Sequence, residues 1–242
     1  MTTVRARTLF APLEAGGRAE TVARQLERAI TLGLLLDGER LPPESDLAAQ
    51  LGVSIVTLRD ALSSLRERGL VETRRGRAGG SFVRAPLDGP AGLEHRLRAL
   101  SLHELRDLGD HRAAVAGAAA RLAAERAVDS DVAALREHAA RLVPATTLTE
   151  RRRADARLHV EIAAAAQSPR LTREEMDLWA QVGDLVWLPV GPEGLAAVAA
   201  EHDALVDAIE RHDPEAARLL AEGHVAAETQ RLLDLRVRLG DA

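Results

Sequence analysis

The sequence contains no cysteine, which excludes disulfides, thiolate catalysis and cysteine metal sites. It contains no lysine either. All 32 cationic side chains are arginine, a bias that genomic base composition produces as readily as phosphate chemistry does. Aromatic residues are only 2% of the chain, and alanine with leucine supplies most of the apolar surface, which favours helices over strands. No apolar run approaches the roughly 18 residues that a membrane span needs, because charged residues interrupt every Ala/Leu-rich segment. The first residues lack the apolar core of a signal peptide, so the expectation is a cytoplasmic protein with no membrane partner.

What is present is ordinary in amount and uneven in distribution. The 242 residues, 46% hydrophobic and 29% charged, suffice for one large domain or two smaller ones, and two is the better expectation. The formal net charge of -5 hides a split: residues 1–85 hold 13 Arg against 10 acidic residues, whereas 86–242 hold 19 Arg against 27. The front part is therefore basic, the back part acidic.

Within the front part, RAETVARQLERAITLG (18–33) carries Val22, Leu26, Ala29 and Ile30 at helical spacing and ends on glycine. DG and two prolines then break the chain. PESDLAAQL restarts a helix with Pro43 or Glu44 in its first turn, Gly52 stops it, and Ser54 can cap the next, VTLRDALSSLRERG. LVETRRGRAGGSFVR follows as two short strands around a turn rich in glycine and arginine. Helix, helix, tight turn, helix, hairpin is the order of a winged helix-turn-helix, which places its second turn-unit helix in the major groove of duplex DNA. The recognition helix is expected over Ile55–Glu67, with Leu58, Ala61, Leu62 and Leu65 inward and Thr57, Arg59, Ser63 and Arg66 outward. Arg59 can contact guanine or a phosphate; Arg74, Arg75 and Arg77, around Gly76, Gly79 and Gly80, suit a wing that enters a minor groove or braces the backbone. The bland alternative is a small subdomain for protein contacts.

APLDGPAG (85–92) is the natural linker, between a front domain over 1–84 and a back domain over 93–242. From Leu93 on, everything reads as helical, six or seven helices punctuated by VPATT, QSPR, WLPVGPEG and RHDPEA. The fold class is mainly α: an N-terminal winged helix-turn-helix with a small β-hairpin wing, then an all-α bundle.

The back domain carries an anomaly. In ADARLHVEI, Asp155 and His159 are one turn apart on the stripe they share with Leu158 and Ile162, where burial without a partner is costly. His202 lies on a stripe with Leu205, Val206 and Ile209, and His224 one turn after Leu220. Converging from three helices, one carboxylate and three imidazoles would form an O/N site for zinc, nickel or a similar divalent ion, with positions left for an exogenous carboxylate. Each residue also has a plainer reading: a histidine on an apolar face is usually bonded to a carbonyl, and Asp155 can pair with Arg112 or Arg152. His95, His103, His111, His138 and His212 read as surface residues.

The pattern IxxGxLxxGxRLPPExxLAxxLGVSxxTLRxALxxLxxxGLVxxxxGxxGGxFV, from Ile30 to Val83, resembles the DNA-binding domain of the GntR family of bacterial transcription regulators. The resemblance, spanning residues 20–84, implies a DNA-binding role in which only Arg59 remains of the family's usual operator-touching arginines; with the positional reading, the residues expected at operator DNA are Ser45, Ser54, Thr57, Arg59 and Arg66 on the helices and Arg74, Arg75, Arg77 and Gly79 in the wing. Two positions depart: the family commonly has arginine where Ser45 and Ile55 stand. In the back domain DARLH, EHDALVDAI and ARLLAEGHV are similar to the DxxFH, EHxxIxxAI and ARxxMxxHL motifs of the FCD effector domain in the FadR-type branch. That similarity implies that Asp155, His159, His202 and His224 bind a divalent metal and that a small organic acid is held partly by it. DHRAAVAGAAARLAAERA resembles the family's RxxLExxAAxLAA helix, with Ala116 where the family has glutamate. Arg112 there is placed to meet the acid's carboxylate, or is a surface ion pair; Trp179 and Trp187, two turns apart, pack in the core or line the pocket. The expectation is a homodimeric regulator, a repressor rather than an activator, matching a palindromic operator; the rival is a metal-dependent, hydrolase-like enzyme, which lacks an obvious general base.

Overall fold

The computed structural model describes residues 18–33, 35, 37–76, 79–84 and 89–240. The chain divides into two compact units, before and after the segment around Leu87 and Asp88.

In the first unit, α1 (Arg18–Thr31) buries Val22, Ala23, Leu26, Ala29 and Ile30 against α3 (Ile55–Glu67), which answers with Leu58, Ala61, Leu62 and Leu65. Both stripes recur every three or four residues, the spacing of one helical face. Between them runs α2 (Glu44–Leu51), entered from Pro43 and ended at Gly52, whose φ of 65° is a left-handed turn natural to glycine. Ser54 then caps α3, its Oγ accepting from the Thr57 N–H at 3.1 Å. The wing pairs β1 (Val71–Arg74) with β2 (Gly80–Val83) antiparallel, Val71 opposite Val83, and the segment before α2 meets β2 in an isolated bridge between Arg40 and Phe82, where Leu41 N–H reaches Ser81 O at 2.9 Å.

The second unit holds seven helices among the described residues: α4 (Pro90–Ala99), α5 (Leu102–Arg126), α6 (Asp129–Ala139), α7 (Leu148–Ala165), α8 (Pro169–Val182), α9 (Pro192–Glu210) and α10 (Pro214–Gly240). Gly89 with Pro90 starts α4 inside the stretch expected as linker, since proline is at home in a first helical turn. Capping boxes on Ser101 and Glu104 and on Thr147 and Glu150 fix where α5 and α7 begin.

The long helices α5 and α10 pack along one another, and small residues let them approach. A Cβ on Gly109 would sit 2.5 Å from Cγ2 of Thr229, so that crossing accommodates glycine alone without a shift. Around it Ala116, Ala120, Ala123 and Ala124 meet Leu158, Ile162, Leu205, Ile209, Ala221 and Val225 in the core. Alanine is the economical filler here. It brings four helices together with little side-chain entropy to lose.

Candidate functional site

The four anomalous side chains meet. Helix α7 supplies Asp155 and His159 at consecutive turns, α9 supplies His202 and α10 supplies His224; all four are buried, Asp155 completely. One ligand atom from each lies within 4.8 Å of every other. Donors about 2.1 Å from an ion stand about 3.4 Å apart in a tetrahedron and about 4.2 Å apart across it in an octahedron, so closure of these side chains by about 1 Å brings them to an ion.

The hydrogen bonds turn the donors inward. Trp187 Nε1 donates to Asp155 Oδ2 at 2.7 Å, leaving Oδ1 facing Nε2 of His159 at 3.5 Å and Nε2 of His202 at 3.2 Å. His224 Nδ1 is 2.6 Å from Glu201 Oε2; with the proton on Nδ1, the lone pair of Nε2 faces the cluster. Asp155 Oδ1 and Nε2 of His159, His202 and His224 are all buried without a hydrogen-bond partner. Four convergent, unpartnered ligand atoms of this kind are what a single divalent cation satisfies at once.

Charge leads to the same residues. Burial works against ionised Asp155, yet His159 and His202 hold its carboxyl well below the usual range. Burial also depresses His159, favouring the neutral imidazole that a metal needs. His224 goes the other way: burial opposes its charge, but Glu228, Glu201 and Asp155 outweigh it and raise the imidazole to about 10. The cluster is thus rich in negative charge and attracts a proton to His224 wherever no other cation is present.

A second buried group adjoins it. Arg112 Nη2 donates to Glu228 Oε2 at 2.8 Å, both residues almost fully buried, and Glu228 Oε1 lies 3.5 Å from His224 Nε2. The Arg112 guanidinium stands 5.0 Å from the Trp179 ring, whose other neighbour is the His159 ring at 5.0 Å. Trp179 Nε1 donates to Glu175 Oε1 at 3.0 Å. Arg112 is therefore neither in a surface pair nor Asp155's partner; Arg152 lies 3.7 Å from Asp184. The tryptophans also differ from expectation in one respect, because α8 ends at Val182 and Trp187 sits in the turn beyond it. Both rings are buried, and each donates to a carboxylate. His138, expected at the surface, is half-buried, with burial lowering its pKa.

Glu175, Glu201 and Glu228 went unread in the sequence. Each carried a signal: Glu201 is the glutamate of EHDALVDAI, Glu228 follows His224 by one turn and Glu175 precedes Trp179 by one turn, so the last two share a face with a residue already singled out. Burial raises the Glu175 carboxyl to about 7, with Arg112 and the Trp179 N–H opposing and Glu228 adding to it. A folded-state pKa above the unfolded one means the folded chain holds its proton longer, so stability falls as pH rises from about 4.5 to about 7. Glu175→Gln keeps an acceptor for Trp179 and never ionises. It is expected to melt above the wild type at pH 8 and level with it near pH 4.5; equal melting at both pH values would show that Glu175 carries no such penalty.

In the first unit, Ser45 Oγ donates to Asp46 Oδ1 at 3.0 Å, the Ser54 and Thr57 hydroxyls are hydrogen-bonded to each other at 2.8 Å, and Arg59, largely exposed, pairs with Glu44 at 2.7 Å. Arg66 reaches Thr73 Oγ1 at 3.4 Å, Arg74 pairs with Glu72 at 2.6 Å over the Phe82 ring, and Arg75 is exposed. Gly79 closes the hairpin turn onto Gly76 O at 2.8 Å; Arg77 lies outside the described residues. Surface ion pairs of this kind contribute about 0–1 kcal/mol, so a phosphate or base edge can replace the carboxylates readily.

Residues 18–83 match the family described as Bacterial regulatory proteins, gntR family, and residues 107–227 match the FCD domain. Over 232 residues the chain is 43% identical to RmpR of Mycobacterium gastri, described as a candidate HTH-type transcriptional regulator, covering 93% of this chain and 84% of the relative. The chain belongs to the GntR family. As a GntR-family member with an FCD domain it is a transcription regulator, and the front unit is its DNA-binding part. It is 28% identical over 229 residues to the Glc operon transcriptional activator of Escherichia coli (strain K12), 90% of each chain, and 29% identical over 232 residues to the Galactonate operon transcriptional repressor of the same strain, 90% of this chain and 98% of the relative. The solved structure of E. coli McbR/YncC is similar in fold, with a TM-score of 0.52 at 20% identity over 93% of this chain and 99% of that one. Among the described residues, no helix is long and apolar enough to cross a membrane.

Proposed function

We propose that this GntR-family regulator binds duplex operator DNA as a homodimer through residues 1–84, and that a small organic acid bound in residues 93–242 controls that affinity. In this reading Asp155, His159, His202 and His224 hold a divalent ion, with zinc the first candidate and nickel the second. The observation that carries it is the inward set of buried donor atoms, all without hydrogen-bond partners. When bound, such an ion supplies positive charge and open coordination positions to an exogenous carboxylate.

The chain's own residues do the rest. Trp187 and Glu201 orient Asp155 and His224, and Trp179 fills the space between His159 and Arg112. Glu228 already occupies Arg112, so an incoming carboxylate competes with an internal one for the guanidinium. An acid that prefers the non-binding arrangement of the paired front domains releases the operator, and the regulator then acts as a repressor. Named relatives of near-equal similarity include an activator and a repressor, and a promoter-reporter measurement fixes the sign for this chain.

The test uses full-length protein. Elemental analysis is expected to find about one divalent ion per chain, and a thermal-shift screen of small carboxylic acids on the metal-loaded protein to find at least one stabiliser. At a hundredfold excess over Kd, binding adds about 2.7 kcal/mol, or a rise of roughly 5–10 °C for a chain of this size. The same acid should change affinity for operator DNA and should not be turned over. A metal-free protein that no acid stabilises would end this reading; catalytic conversion of the acid would favour the enzyme.

A further inference from the structure

The recognition helix begins with two exposed apolar side chains. Ile55 and Val56 occupy its first two positions, directly after the Ser54 cap, and are 42% and 67% exposed. Their polar neighbours are engaged locally: Ser54 with Thr57, Ser45 with Asp46, Arg59 with Glu44. The least satisfied surface at this end of α3 is therefore a pair of β-branched hydrocarbon groups, in a segment whose other exposed side chains are polar or charged.

In helix-turn-helix proteins the first residues of the recognition helix face base edges in the major groove. Of the four bases only thymine offers hydrocarbon there, as its C5-methyl group, and apolar side chains read it by contact. Ile and Val suit the task. Their χ1 is nearly fixed within a helix, so burying them against a methyl forfeits little rotamer freedom. Arginine at the same place would instead form a bidentate pair with guanine.

We infer that Ile55 and Val56 are specificity-determining residues that read thymine methyl groups, and that each operator half-site presents one or two thymines to the start of α3. This rests on the DNA-binding role of the front unit, and the experiment separates the two. Full-length protein is first used to enrich duplexes from a random pool. In the best sequence, each thymine is then replaced singly by deoxyuridine, which deletes the methyl and keeps every hydrogen-bonding atom.

At one or two thymines per half-site the affinity of the wild type is expected to fall about fourfold, the effect of one buried methyl, and elsewhere to stay level. The Ile55→Ala/Val56→Ala double variant should lose those penalties with an unchanged melting temperature, and Ile55→Arg should shift selection from thymine toward guanine at the same step. Uridine tolerated at every position by the wild type would overturn the inference, as would penalties that persist in the double variant. Failure to enrich any sequence would remove the DNA-binding premise, and the inference with it.

Discussion

Asp155→Ala is expected to yield a protein without bound divalent metal that melts about 10 °C or more below the wild type. Asp155 is fully buried, accepts from Trp187 Nε1 and faces two imidazoles, so its removal orphans an indole donor and leaves three histidines without their carboxylate. Breaking a buried charged pair from one side costs about 3–5 kcal/mol, which lies near 10 °C for a chain of this length. Asp155→Asn separates folding from ligation: its amide oxygen still accepts from Trp187, so melting of the metal-free protein should change little, while elemental analysis finds the ion gone. Retention of a full equivalent by Asp155→Asn would show that this carboxylate is not a ligand.

Arg112→Met should be nearly as damaging, and a second substitution should repair much of it. Alone it leaves the Glu228 carboxylate buried beside His224 with no guanidinium, again about 3–5 kcal/mol. Adding Glu228→Gln removes the uncompensated charge and is expected to recover more than half of the lost melting temperature. Calorimetry of the wild type, both single variants and the double variant measures the coupling; strictly additive losses would mean that the two residues do not support each other. If Arg112 also takes the effector's carboxylate, the repaired double variant folds yet gains far less stability from the acid than the wild type does.

Local chemistry made the front unit readable. Pro43, Gly52 and Ser54 set helix boundaries by the φ angle or hydrogen bond each imposes on its own turn, and the α3 stripe of Leu58, Ala61, Leu62 and Leu65 needs no tertiary knowledge. The proposed metal ligands were legible for the opposite reason, as polar residues at positions where periodicity demands apolar ones. Glu228 and Glu175 escaped notice because glutamate on a helix is ordinarily solvated, and their burial depends on partners far away in the chain: Arg112 is 116 residues from Glu228. The end of α8 was hidden as well. Trp179 and Trp187 fit one continuous helical period, but the chain turns after Val182 and brings Trp187 to Asp155 from a different direction.

The close seating of α10 on α5 bears on how far a small event at His224 is felt. From His224 the helix runs on without interruption to Gly240, and 16 residues at 1.5 Å each make an arm of about 24 Å. Glycine at the Gly109 crossing leaves no compressible side chain to absorb movement there. In the proposed reading, a tilt of about 5° around His224 sweeps the distal tip through about 2 Å, so leverage along α10 would carry an effector's arrival outward without a relay of side-chain flips.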